Sequence, residues 1–234
     1  MINTYSESSL HRALKTAYAI QYSGKTEVNV QNKVCDIVTD TGNIIEIQTQ
    51  QLHALRQKIA ALIDEHRITV VRPLVCEKYI ETYCGNTLLT RRKSPKKETL
   101  YTICRELSSI YQFLDHPHFI LELPCVAVCE IREQTDAPTQ LPNKSRRFLR
   151  SWQKTDKKLE RLYEQTYLFK TKYDLLQLLP DSLPQEFSTA ELPQAGKYAN
   201  WCLWLLHKAA LISKTKTVHR RIYYTRSTNR QERI

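Results

Sequence analysis

Asp36, Glu46 and Gln48 are the side chains of this chain best placed to do chemistry. They fall in Lys33 to Thr49, where two runs rich in Val and Ile flank Asp40-Thr41-Gly42. That pattern predicts a β-hairpin with a three-residue loop and Gly42 in the left-handed position. If Thr39 and Asn43 close the loop, antiparallel pairing sets Asp36 across from Glu46 and Val34 across from Gln48. Cys35, Ile37, Ile45 and Ile47 then face the other way. Two carboxylates on Cβ atoms roughly 4.5–5.5 Å apart repel each other. A divalent cation between them removes the repulsion, because two oxygens from neighbouring strands can hold Mg²⁺ (or Mn²⁺) and leave positions for water and a phosphate. The plainer alternative is a hairpin whose polar face is solvated.

Such a hairpin needs elements on each side to hold it. Residues 7–21 place Leu10, Leu14, Ala17 and Tyr18 at helical spacing after Ser6 as an N-cap. Residues 27–30 alternate as a short strand. Beyond Gln48, Leu52, Leu55, Ile59 and Leu62 make one helical stripe through residue 65, and Ile68 to Val75 reads as a buried strand ending around Pro73. The order is helix, strand, strand, strand, helix, strand. That predicts an α/β domain with a mixed sheet flanked by helices.

Lys78 to Leu89 reads as a further hairpin. Arg91, Arg92, Lys93, Lys96 and Lys97 surround Ser94-Pro95 ahead of a helix expected over Glu98 to Leu114. A basic loop before a helix start could grip a phosphate; it is equally a solvated charged loop. Phe119 to Ile131 reads as a strand with Pro124 at an edge or bulge, and His116-Pro117-His118 as a turn rather than a metal site. Two prolines in residues 134–144 suggest a linker, so the first domain spans 1–133 and the second 145–234.

The second part begins with a long charged helix expected over residues 146–167 and a shorter one over 172–179. Ser188 and Glu191 form a capping box, followed by a helix over 197–210 and two strands over 211–214 and 220–224. Helix, short helix, helix, hairpin is the order of a winged helix-turn-helix. Lys197, Lys208, Lys214, Lys216, Arg220 and Arg221 fall where such a domain touches phosphate. Winged helices also dock proteins, so the shape alone does not fix the partner.

Charge supports a polyanionic partner. The chain of 234 residues carries a formal net charge of +11. From residue 136 onward there are 19 Lys and Arg against 9 Asp and Glu, whereas residues 1–135 hold 16 against 15. Confinement of the excess to one part is the footprint of a nucleic-acid-binding module. No apolar run approaches the roughly 18 residues of a membrane span, and the N-terminus lacks a signal-peptide profile, so a cytoplasmic protein is expected. The 7 cysteines include no Cys-x-x-Cys pair and read mostly as small buried apolar residues in a reducing compartment.

With these residues in hand, residues 1–75 resemble the PD-(D/E)xK nuclease superfamily, and residues 76–133 resemble it more loosely. The resemblance implies a restriction-endonuclease-like αβββαβ core with a C-terminal winged-helix domain. It places Asp36 and Glu46 as metal-holding acids with the Ile47 carbonyl, Glu7 as the acid of the first helix, and Gln48 in the position of the motif's lysine. A neutral amide there can position water but brings no positive charge, and Lys58 in the following helix is the candidate replacement cation. The implied activity is Mg²⁺-dependent (or Mn²⁺-dependent) cleavage of double-stranded DNA, with a homodimer as the assembly that cuts both strands. The competing readings are a catalytically degenerate nuclease fold that binds DNA as a regulator, and a partner-docking module.

Overall fold

The Asp40-Thr41-Gly42 loop closes as its composition predicts. Thr39 N–H donates to the Asn43 carbonyl at 2.9 Å, Gly42 takes φ 78°, and Val38 and Ile37 pair with Ile44 and Ile45. Glycine occupies this left-handed backbone without the clash a Cβ would bring. The computed structural model describes residues 7–140 and 149–227 and arranges them around this hairpin.

The first elements are α1 (Ser9–Gln21), β1 (Lys25–Val30), β2 (Lys33–Val38) and β3 (Ile44–Ile47). A 3₁₀ turn (Leu52–Leu55) runs into α2 (Arg56–Leu62), and β4 (Ile68–Val71) follows. The helix–strand–strand–strand–helix–strand order read from periodicity is therefore present. Ser8 rather than Ser6 caps α1, its hydroxyl accepting from His11 N–H at 3.3 Å; Ser6 lies outside the described residues. Glu7 thus precedes the helix instead of lying in it.

The central sheet is mixed and has eight strands. Both β4 and β5 (Leu74–Cys84) run parallel to β7 (Phe119–Gln140), with Ile68 level with Phe119 and Leu74 level with Cys125. The two act as one strand interrupted at Arg72-Pro73, beside Pro124 on β7. The interruption costs little, because neither proline has an N–H to leave unpaired. On the far side of this composite strand, β3 pairs parallel to β4 and β6 (Thr87–Lys93) pairs antiparallel to β5.

Each sheet face has its own core. On one, Leu10, Leu14 and Tyr18 of α1 lie over Ile37, Ile45, Ile47, Val71 and Val126. Their four-residue spacing on α1 is why this helix docks at all, each fully buried side chain contributing about 1.5–3 kcal/mol. On the other face Ile44, Val70, Phe119 and Leu121 meet α2, α3 (Cys104–Leu107) and α4 (Ala199–Lys208). That cluster continues without a break to Phe187, Leu206 and Tyr224, so C-terminal residues share the core of this face. A separate two-stranded sheet, β9 (Ile212–Val218) and β10 (Arg221–Arg226), ends the described chain.

Several expected elements differ. The helix expected over 146–167 is instead strand β8 (Leu149–Phe169), antiparallel to β7 from Leu121 opposite Phe169 to Gln140 opposite Leu149. Residues 134–140, read as the start of a linker, continue β7; 141–148 lie outside the described residues. Four register shifts along the β7–β8 ladder hide the two-residue period that would have marked a strand. The helix expected over 98–114 is broken into 3₁₀ turns around the single turn α3, and 172–178 is 3₁₀ as well. The capping box stands: Ser188 and Glu191 cap a 3₁₀ turn (Thr189–Glu191) ahead of α4 and the β9–β10 hairpin.

Candidate metal centre

Beyond Ile37 opposite Ile45, the β2–β3 ladder stops, and the two acids occupy the split. Asp36 N–H donates to Oε1 of Glu46 at 3.3 Å, and Ile47 N–H donates to Oδ2 of Asp36 at 2.8 Å. Each carboxylate stands where the opposite strand's backbone acceptor would otherwise be. Glu27, beside Asp36 on β1, takes φ 56°, and the strand twists there: Cys35 packs in the core on the α2 side while Ile37 packs under α1. The expectation that Cys35 shares a face with Ile37, Ile45 and Ile47 is therefore corrected. The acids line a gap between strands and are reached from opposite layers of the fold.

From α2, Lys58 donates to Glu46 at 2.6 Å and to the Val34 carbonyl. From α1, Nε2 of His11 lies 2.7 Å from the Ile47 carbonyl and 3.3 Å from Oδ2 of Asp36, while its Nδ1 meets Glu7. Lys15 closes the chain with ion pairs to Glu7 at 2.8 Å and to Glu27. Glu7, Asp36, Glu46, the Ile47 carbonyl and Lys58, all singled out by sequence, thus converge. Gln48 sits at the edge: its amide donates to the Gln51 carbonyl at 3.3 Å, and its oxygen accepts from Gln50 N–H at 3.4 Å. His11 and Lys15 escape a reading of motifs alone, although Glu7, His11 and Lys15 repeat at four-residue spacing.

The electrostatics follow from this geometry. Burial raises the Glu46 carboxyl, Lys58 opposes that, and Asp36 adds to it, leaving Glu46 at about 6. Burial acts the same way on Asp36, but hydrogen bonding and charge from His11, with the Ile47 N–H and Lys58, hold it below the ordinary carboxylate range. For His11, burial disfavours the charged ring, yet Asp36 and Glu7 outweigh it and lift the imidazole to about 9. Burial likewise works against the Glu7 charge, and Lys15 and His11 overcome it.

The donor set suits a hard divalent cation. Two carboxylates and a backbone carbonyl are oxygen ligands of the kind Mg²⁺ takes; His11, raised to about 9 and held between the Ile47 carbonyl and Glu7, could ligate only after losing its proton. Asp36 keeps 20% of its side chain exposed and Glu46 4%, so solvent reaches the pair from the Asp36 side. Among the described residues, the set of three whose ligating atoms lie within 4.8 Å of one another is Glu81, Cys129 and Glu160; no three of Glu7, His11, Asp36 and Glu46 come that close. Arg91 already bridges both carboxylates of that set, to Glu81 and, at 3.1 Å, to Glu160.

The basic residues fall into two sets. Arg91, Arg92 and Lys93 are on strand β6 rather than in a loop; Arg91 is bridged as above and Lys93 is paired with Glu77. Arg92, Lys96 and Lys97 are exposed. Lys197 precedes α4, Lys208 ends it, Lys214 and Lys216 lie on β9, and Arg220 and Arg221 stand at the β9–β10 turn. All six are exposed, with Lys216 paired to Glu186. A cleft lined by Thr189, Asn200, His219, Arg220 and Arg221 separates α4 from that turn. No helix among the described residues is long and apolar enough to cross a membrane.

The fold and site define an α/β protein with a mixed sheet clasped between helices and an acid pair set in a split between two strands. The chain belongs to the family of a domain of unknown function, DUF8091, which matches residues 8–169, from the cap of α1 to the last residue of β8. It is 32% identical over 196 residues to an "Uncharacterized protein" of Treponema pallidum (strain Nichols), covering 83% of this chain and 74% of the relative. No solved structure matches it.

Proposed function

We propose that this chain is a metal-dependent nuclease of the PD-(D/E)xK type that binds and cleaves double-stranded DNA, with residues 170–227 acting as a winged-helix-like module. The observation that carries the reading is the convergence of Asp36, Glu46, the Ile47 carbonyl and His11 on the split between β2 and β3. Asp36, Glu46 and the Ile47 carbonyl would hold Mg²⁺ or Mn²⁺ once His11 has given up the proton its Nε2 directs at that carbonyl, and the ion would supply a lowered pKa for a water molecule and polarisation of the scissile phosphate. Glu7 fixes the His11 ring by binding its Nδ1, so that Nε2 is the nitrogen aimed at the site. Lys58 neutralises Glu46 and stands ready to stabilise negative charge developing nearby, the task that Gln48 cannot perform. Exposed cations at the β9–β10 turn and on α4 would supply most of the salt-dependent affinity. The protein would act in the cytoplasm, as a homodimer where both strands are cut.

One observation favours a second reading, a degenerate nuclease fold that binds DNA without cutting it. The Gln48 amide is engaged by Gln50 and Gln51, away from the acids, and His11 and Lys58 already compensate both carboxylates. Incubation of purified protein with supercoiled plasmid, with and without Mn²⁺, separates the two. Nicking that needs the metal and disappears in Asp36→Ala and Glu46→Ala supports the nuclease. Salt-sensitive binding without nicking, lost on charge reversal of Arg220 and Arg221, supports the DNA-binding protein. Neither behaviour would leave partner docking.

A further inference from the structure

Val218 pairs with Arg221, so His219 and Arg220 alone make the turn between β9 and β10. Both take the left-handed backbone, at φ 47° and 66°. A two-residue hairpin turn with positive φ at both central positions favours Asn-Gly or Asp-Gly, which tolerate that backbone. Here the two positions carry an imidazole and a guanidinium instead, and both side chains line the cleft beside α4. Backbone preference is overridden at the place where a cationic cavity forms. The turn lies at the opposite end of the hairpin from Ser227, the last described residue.

Thr189, Asn200 and Arg221 add to the polar lining. Thr189 opens the capped 3₁₀ turn, and Asn200 lies in the first turn of α4. None of these polar side chains forms a side-chain hydrogen bond or an ion pair among the described residues, and no acidic side chain lines the cleft. Glu191, a carboxylate near Arg221, already accepts from the Ser188 N–H at 2.7 Å and from its hydroxyl at 2.8 Å. Leu203 and Tyr224, both buried, belong to the apolar lining. The cavity has a volume of about 330 Å³. That is near the lower end of the roughly 300–1,000 Å³ of small-molecule sites, so it suits one phosphate with its sugar and not a duplex.

We infer that this cleft binds the terminal phosphate monoester of a nucleotide, so that the protein favours DNA ends carrying a phosphate over internal positions. The inference rests on the nucleic-acid reading above for the source of that phosphate and adds a substrate class to it. A phosphate monoester carries about −1.5 to −2 charge at pH 7 and three terminal oxygens, more than the single charge of an internal diester. Two guanidiniums lining one small space match such a dianion, since each can give paired hydrogen bonds in a fixed plane. The Thr189 hydroxyl and the Asn200 amide supply further donors. A free nucleoside monophosphate presents the same chemistry and is the other source the cleft admits.

The test uses the full chain without metal and one fluorescein-labelled DNA duplex prepared with 5′-phosphate, 3′-phosphate or hydroxyl ends, its binding followed by anisotropy. A phosphorylated form should bind about 10-fold tighter than the hydroxyl form, the worth of one charge-assisted contact. Combined Arg220→Gln and Arg221→Gln should abolish that preference. Asn200→Asp, which keeps both arginines and sets a carboxylate in the cleft, should abolish it too, and circular dichroism of both variants should match the wild type. Titration calorimetry with a nucleoside monophosphate identifies the source. If the monophosphate binds, is lost in both variants, and the duplexes are not told apart, the cleft stands as a phosphate site for the free nucleotide. Equal affinity for all forms of the duplex with no binding of the monophosphate, or a preference that persists in both variants, would overturn the site and leave the nucleic-acid reading intact. A wild type that takes the monophosphate but no duplex would do the reverse. A wild type that binds neither would overturn both.

Discussion

Lys58 Nζ lies 2.6 Å from Oε2 of Glu46, a carboxylate whose side chain is 4% exposed. Removing one partner of a buried pair costs more than the pair contributes, because the other charge is left without compensation. Lys58→Ala should therefore destabilise the fold by about 3 kcal/mol at neutral pH. Glu46→Gln should cost less, since Lys58 is 19% exposed and keeps the Val34 carbonyl. Urea unfolding of the two variants at pH 7 measures the difference. Equal losses would mean that the pair does not carry the stability assigned to it.

His11 sets a pH window. Its pKa is raised from 6.5 to about 9, so the stability it contributes is complete below 6.5 and is lost as pH rises through 9. Asp36 and Glu7, held below the ordinary carboxylate range, contribute above that range and lose their share in acid, outside this window. Lys157, pushed down to about 8 by burial, contributes with the opposite sign above that pH. The difference between wild type and His11→Ala therefore isolates the imidazole. It should shrink by on the order of 2–3 kcal/mol between pH 6 and pH 9, read from denaturant midpoints. A difference that stays constant would place the ring in a neutral state throughout.

Gly24 couples the sheet to the site. A Cβ there would press on Cγ2 of Ile37, which is fully buried, and lie 3.3 Å from the Val38 carbonyl. Overpacking of this kind costs about 1–3 kcal/mol. Gly24→Ala should lower the thermal midpoint and, because Ile37 adjoins Asp36, weaken Mn²⁺ binding in parallel. An unchanged melt would show that β1 and β2 yield more readily than their packing implies.

How much of this was legible in the sequence depended on whether local chemistry or long-range pairing decided the element. The Gly42 loop fixed the β2–β3 register, the Leu52, Ile59 and Leu62 stripe marked α2, and Ser188 with Glu191 marked a cap, all short-range signals. The helix expected over 146–167 rested on a run of charges without a strand period, while the pairing that makes residues 149–169 a strand comes from β7 and is interrupted by bulges. At the centre itself, the acids were visible but their approach was not. The twist at Asp36 and the reach of His11 from α1 exist only once α1 docks over Ile37 and Ile47.

The central claim is that the split between β2 and β3 holds a divalent cation, and Mn²⁺ titration followed by electron paramagnetic resonance tests it most directly. The wild type should bind one or two Mn²⁺ ions, with binding lost in Asp36→Asn and weakened in His11→Ala, and saturating Mn²⁺ should raise the thermal midpoint of the wild type but not of Asp36→Asn. Binding that is absent in the wild type, or that persists undiminished in Asp36→Asn, would contradict it.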